Sequence, residues 1–308
     1  MRDELGVRIG YGAGTGMTSV DQVREEARWA EAAGFDSFWV SQVFGVDPIV
    51  ALAAVAADAP GLAELGTSVV PLTGRHPLAL AAQALTAQQA LDGRFTLGVG
   101  TSHEVVAEGL FGESFARPFT RASEHLAALL PLLRGEPASV AGEEIVAHGS
   151  LDVPTQSVPV LLAALGPRML DLAGRLTAGT TVGQCGPRTI AHHIAPRLGE
   201  AAGAAGRPSP RIVALVVVGV TPDPDGRREE LRRGSALYDS FASYRTILDR
   251  EGVASGADLA LLGPIEAIVE GLTAYAEAGA TDLRIGIAAG DEAEREDTRA
   301  ALESLLAR

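Results

Sequence analysis

The stretch ELGTSVVPLTGRHPLALAAQALTAQQALDGRFTLGVGTSHE, Glu64 to Glu104, decides the fold. Leu65 to Val70 is rich in β-branched residues, and a helical period takes over only after Pro77, with Leu78, Leu80, Leu85 and Leu91 set among alanines. Pro77 suits a first helical turn, where its missing N–H has no helical partner to lose. Asp92-Gly93 then ends the helix before Phe95 to Val99 starts another strand. Strand, crossover helix and strand make a parallel pair. The two strands run into Thr73-Gly74-Arg75-His76 and Thr101-Ser102-His103-Glu104. Ligands bind at the carboxyl ends of parallel strands in barrels and open α/β sheets, so chemistry is expected beside Ser68 to Pro71 and Gly100 to Glu104.

Working outward, the same unit recurs. Val7 to Gly12 and Ser37 to Val40 read as the first two strands, with a helix from Val20 to Ala33 capped by Ser19 between them. Val160 to Ala163, Gly179 to Val182, Arg211 to Val220 and Asp282 to Ile287 read as the fifth to eighth. Helices are expected from Thr120 to Leu133, Pro264 to Ala278 and Asp291 to Leu306. Eight strands with helices between most of them, and no composition break, predict an α/β (β/α)8 TIM barrel in a single domain, residues 1–308. Insertions follow strand 4, through a polar segment from Gly135 to Ser157, and strand 7, through a helix-prone region from Asp225 to Asp249. Gly10, Gly12, Gly14 and Gly16 are not spaced G-x-G-x-x-G, and Ser41-Gln42 stands where a dinucleotide site needs an acid, so they imply close backbone approach instead.

With 308 residues and 47% apolar content, the chain can build one large core. Its single cysteine, Cys185, cannot close an intrachain disulfide, and Met1 to Gly10 lacks a signal-like apolar run. The aliphatic run Ile212 to Val220 falls short of the roughly 18 residues of a membrane span, so a cytoplasmic protein without a membrane partner is expected. A net charge of −14 argues against nucleic acid as a partner.

All 25 basic residues are arginine, which excludes Schiff-base, pyridoxal phosphate and P-loop lysine chemistry. Anions must therefore be met by arginine, histidine or backbone N–H. Gly166-Pro167-Arg168 and Gly186-Pro187-Arg188 each stand between a strand and a helix, bringing backbone N–H groups, a positive helix end and a guanidinium together. An anion, most simply phosphate, suits either corner; the plain alternative is proline at a first helical turn beside a solvated arginine. His125, His192 and His193 fall inside helices and read as packing or surface residues. His76 and His103 alone are too few strand-end histidines for a metal-dependent hydrolase, and no metal is expected. Glu104 lacks the second carboxylate a glycosidase needs.

The Glu64–Glu104 stretch, followed by GLFGESFARPFTR, VLLAALGPRMLDLAG and GPRT, resembles the bacterial luciferase-like superfamily, and within it the deazaflavin (coenzyme F420)-dependent oxidoreductases. The resemblance implies a deazaflavin ring at the carboxyl face, backed by a cis Ser68-Val69 bond and lined by Val99, Gly100, Thr101, Ser102 and His103. It further implies a phosphate end held by Gly166, Pro167, Arg168, Gly186, Pro187 and Arg188. The sugar-phosphate dehydrogenases of the group carry Asp-His where this chain has Ser41-Gln42-Val43, which speaks against alcohol or sugar oxidation. His103 stands where they have a glutamate, and becomes the expected catalytic residue, with Gln42 a hydrogen-bond donor beside it. The expected activity is hydride transfer between the coenzyme and a small-molecule substrate with an activated C=C, C=N or C=O bond. The alternatives are an FMN-dependent monooxygenase and a non-catalytic deazaflavin carrier. Substrate walls are expected from Ala13 to Thr18 and from both insertions, and an apolar helix face allows a homodimer.

Overall fold

The computed structural model describes residues 5–14, 16–42, 44–154 and 156–307. Its strands are β1 (Arg8–Gly12), β2 (Ser37–Val40), β3 (Glu64–Thr67), β4 (Val70–Pro71), β5 (Phe95–Gly100), β6 (Ala138–Ala141), β7 (Val146–Gly149), β8 (Val160–Ala163), β9 (Gly179–Val182), β10 (Arg211–Val220), β11 (Leu261–Gly263) and β12 (Asp282–Ile287). Parallel pairing runs β12-β1-β2-β3-β5-β8-β9-β10, and β10 pairs back to β12, so the sheet closes. β4 continues β3 along β5, leaving eight positions around the barrel. This is the TIM barrel expected from the alternation of strands and helices.

The third strand is interrupted between Thr67 and Val70, and the Ser68–Val69 peptide is cis. Its neighbour explains how the interruption is accommodated. Thr67 Oγ1 donates to the Gly98 carbonyl at 2.8 Å and accepts the Gly98 N–H at 2.9 Å, replacing ladder bonds. A Cβ at Gly98 would stand 2.0 Å from the Thr67 carbonyl oxygen, so only glycine permits this approach.

Side chains close the amino-terminal end of the barrel. Glu64 and Asp282 receive Arg211 at 2.8 Å and 2.7 Å, and Arg8 pairs with both acids. Burial pulls the Asp282 carboxyl upward, but the bonds and charge of Arg211 outweigh it and hold its pKa below the ordinary range. Above this layer Trp39 fills the axis, and a Cβ at Gly66 would meet its ring at 2.3 Å. With its base filled, the barrel is open to ligand at the carboxyl end.

Both expected insertions are present, with more structure than the sequence suggested. The polar segment after β5 contains an antiparallel hairpin, Ala138 opposite Gly149, whose turn N–H groups at Glu143, Glu144 and Ile145 are held by the Glu124 carboxylate. The region after β10 folds as two helices, Pro224–Asp239 and Ala242–Glu251, and returns through β11 onto the overlong β10. The described part of Ala13 to Thr18 is a correction: it packs on the loop after β2, with Val46 N–H bonded to the Met17 carbonyl at 3.0 Å. Those residues do not line the cavities described below. Thr15 and Val43 lie outside the described residues. No helix among the described residues is long and apolar enough to cross a membrane.

Candidate active site

Two adjoining cavities occupy the carboxyl end. The inner one, about 410 Å³, reaches down to Ser68, Thr181, Leu215 and Arg284 and is roofed by Leu231, Ser235 and Tyr238. The outer one, about 630 Å³, runs from Gly100, Thr101 and Ser102 to Gly166, Pro167 and Arg168. Val69, Ser102, His103, Thr181 and Tyr244 border both.

Loops after the second and third strands build one wall. Ser41 Oγ donates to the Ser68 carbonyl at 2.5 Å, the Gln42 N–H donates to the Val69 carbonyl at 3.2 Å, and Ser68 Oγ lies 2.9 Å from Thr181 Oγ1. The interrupted strand is thus tied to its neighbour and across the mouth. Gln42 Oε1 accepts from Arg75 at 2.6 Å, and Arg75 also pairs with Asp47 at 2.7 Å. That fixes the amide and leaves its NH2 end to donate. His125, fully buried, braces the same loop through a 3.0 Å bond between Nε2 and the Arg75 carbonyl. His76 is occupied structurally: its Nδ1 caps the helix Pro77–Ala90 and its Nε2 meets the Val146 carbonyl.

His103 begins the short helix Glu104–Ala107 and lies among rings from the second insertion. Its centroid is 4.5 Å from Phe241 in a near-stacked pair, 5.5 Å from Tyr244 and 5.7 Å from Tyr238. Burial lowers the imidazole pKa, so the ring is neutral at neutral pH. Ser102 and Gln184, which line the inner cavity, have φ of 66° and 56°, a left-handed backbone uncommon outside glycine.

The structure separates the two Gly-Pro-Arg corners. Gly166 caps the helix Pro167–Leu176 with no side-chain cap, and the Arg168 guanidinium lies 4.0 Å over the Phe119 ring, beside the outer cavity. That corner keeps open amides and a positioned cation. At the other, the Glu251 carboxylate accepts the N–H groups of Arg188 at 3.2 Å and Thr189 at 2.7 Å, and a Cβ at Gly186 would meet it at 2.3 Å. Gly186, Pro187 and Arg188 line neither cavity, because the chain supplies its own anion there. Val99 is fully buried in β5 opposite Val70 and also lines neither.

The sequence reading missed Arg284 and the aromatic cluster. Arg284 stands in DLRIGI, where an arginine flanked by leucine and isoleucine inside a buried strand was the available signal. It is 7% exposed, its Nε has no hydrogen-bond partner among the described residues, and burial pushes its pKa down to about 10, still cationic at neutral pH. Tyr238, Phe241 and Tyr244 share the spacing of an ordinary helical stripe, which by itself indicates packing.

The luciferase-like monooxygenase family matches the chain over residues 4–282. The F420-dependent glucose-6-phosphate dehydrogenase of Mycolicibacterium fortuitum is 32% identical over 236 residues, 71% of this chain and 70% of that protein. The 5,10-methylenetetrahydromethanopterin reductase of Methanolobus tindarius is 27% identical over 168 residues, 54% of this chain and 51% of that protein. An F420-dependent secondary alcohol dehydrogenase, solved with an F420-acetone adduct, superposes with a TM-score of 0.82 at 20% identity, covering 97% of each chain. At that identity the superposition shows the shared barrel. The chain belongs to the luciferase-like monooxygenase family, and among its members it is similar to coenzyme F420-dependent oxidoreductases.

Proposed function

We propose that the protein is a coenzyme F420-dependent oxidoreductase that transfers a hydride to a small organic substrate, reducing an activated C=C, C=N or C=O bond. The observation that carries this reading is the junction of the two cavities: an uncapped helix end with Arg168 lies on the outer one, and a largely apolar chamber opens beside it. A molecule with a flat ring at one end and an anionic tail at the other fits that sequence of environments. The likeness to F420-dependent relatives supports the same choice.

When bound, a reduced deazaflavin supplies the hydride. The residues of the chain then position and protect. The amides of Arg168 and Met169, with the Arg168 guanidinium, would hold the phosphate; Ser68 and Val69 would back the ring, and Gly100, Thr101 and Ser102 would border it. Neutral His103 offers a ring N–H to polarise the substrate's oxygen or nitrogen, and the NH2 of Gln42 donates from the second strand. Tyr238, Phe241 and Tyr244 shield the reacting centre from water.

The same corner would accept the phosphate of FMN, so parallel titrations with F420 and FMN decide between the two. Tighter F420 binding is expected, followed by return of the oxidised coenzyme's visible absorbance when the reduced form meets an activated alkene, imine or carbonyl. Tighter FMN binding, or binding of neither, would overturn the proposal.

A further inference from the structure

Arg284 is the permanent charge of the inner cavity. Among the described residues no aspartate or glutamate lines that cavity, and no ion pair or hydrogen bond reaches this guanidinium. Other arginines withdrawn from solvent are satisfied: Arg211 by Glu64 and Asp282, Arg75 by Asp47, and Arg94 by the backbone carbonyls of Ala56, Ala59, Leu62 and Leu91. In a chain with net charge −14, carboxylates were abundant as partners, yet none was placed here. Holding a guanidinium away from water without a counter-charge is costly, and the cost is offset when an anion arrives.

The side chain is also given room. A Cβ at Gly12 would stand 2.9 Å from Arg284 Cγ and 3.0 Å from Nη1, so the glycine of β1 lets the arginine cross its neighbouring strand. It stands on a different wall of the barrel from the coenzyme's proposed anchors. Those anchors lie on the third to fifth barrel strands and the loops after them, whereas Arg284 is on the eighth, beside the first. The coenzyme's anionic tail already has the Gly166–Arg168 corner.

We infer that Arg284 is the specificity-determining anchor for a substrate bearing a carboxylate, which pairs with the guanidinium on the floor of the inner cavity while the bond to be reduced lies towards His103. A guanidinium matches a carboxylate with two parallel N–H···O bonds. The other polar groups lining this chamber, among them Ser41, Thr181 and Tyr244, are neutral, so a single negative charge is matched and a phosphate dianion is not. The substrate class is therefore a small unsaturated or carbonyl acid. This inference rests on the proposed oxidoreductase reading for the role of the ligand, but the anion site itself does not require the coenzyme.

The test uses the full-length protein, with and without F420, titrated calorimetrically with cinnamate and crotonate and with the matching neutral amides. F420 affinity is measured separately from its absorbance change, for wild type, Arg284→Met and Arg284→Lys. The acids are expected to bind about ten- to hundredfold more tightly than the amides, the factor carried by a charge-assisted hydrogen-bonded pair. The preference disappears in Arg284→Met and returns in part in Arg284→Lys, while F420 affinity stays within about twofold of wild type. Equal affinity for acids and amides, including binding of neither, overturns the inference, as does an F420 affinity that falls in step with the loss of the arginine. Acid selectivity that depends on Arg284 in a protein that fails to bind F420 would sink the oxidoreductase reading and leave the anion site standing.

Discussion

Acidification is expected to loosen the cleft wall that carries Gln42, because His125 is buried in its neutral form. Burial pushes its pKa from 6.5 down to about 4. Between those values the unfolded chain takes up a proton that the folded protein refuses, so stability is complete above about pH 6.5 and falls as the pH drops through the window. Integrating between the two values, moving from pH 7 to pH 5 removes about 2 kcal/mol, and the loss levels off below about pH 4. The consequence reaches the site because His125 holds the carbonyl of Arg75, whose guanidinium holds Gln42. The assay is urea unfolding followed by circular dichroism across this range, on wild type and His125→Gln, which keeps a side-chain donor but does not titrate. Carboxylates elsewhere affect both proteins alike, so the difference between the two curves isolates the imidazole. Parallel curves would refute the reasoning.

Three further outcomes follow from the site. His103→Ala is expected to lower kcat at least about a hundredfold while F420 affinity changes little, since a positioned proton donor carries about that factor; unchanged single-turnover oxidation of the reduced coenzyme would reduce the ring to a packing partner of Phe241. Arg168→Ala is expected to weaken coenzyme binding about tenfold without altering the thermal midpoint, because the guanidinium rests over Phe119 at the surface; a matching loss of stability would mean that its role is structural. Glu251→Ala uncovers the amides of Arg188 and Thr189 and is expected to cost about 1 to 2 kcal/mol, the loss of a helix cap, in chemical denaturation; no change would show that water caps that helix equally well.

Order and type of elements were legible in the chain because their signals are short-range. Proline at first helical turns, strand runs such as Arg211 to Val220, and the alternation of both named a barrel and located its carboxyl-end loops. The hairpin Ala138–Gly149 was not legible: its strands alternate poorly and its turn depends on Glu124 from a helix 19 to 21 residues earlier. The same holds for the aromatic surroundings of His103, which come from an insertion far along the chain.

The amino-acid sequence by itself determined that anions must be met by arginine or backbone, since lysine is absent, and it marked two Gly-Pro-Arg corners with equal local chemistry. Only the tertiary structure decided between them, because Glu251, 63 residues beyond Arg188, folds onto one corner and, among the described residues, no side chain caps the other. It likewise decided that Arg284 stands buried without a partner among the described residues. Local pattern records which groups a residue can pair with; long-range packing determines which partners arrive, and so which charges are left for a ligand.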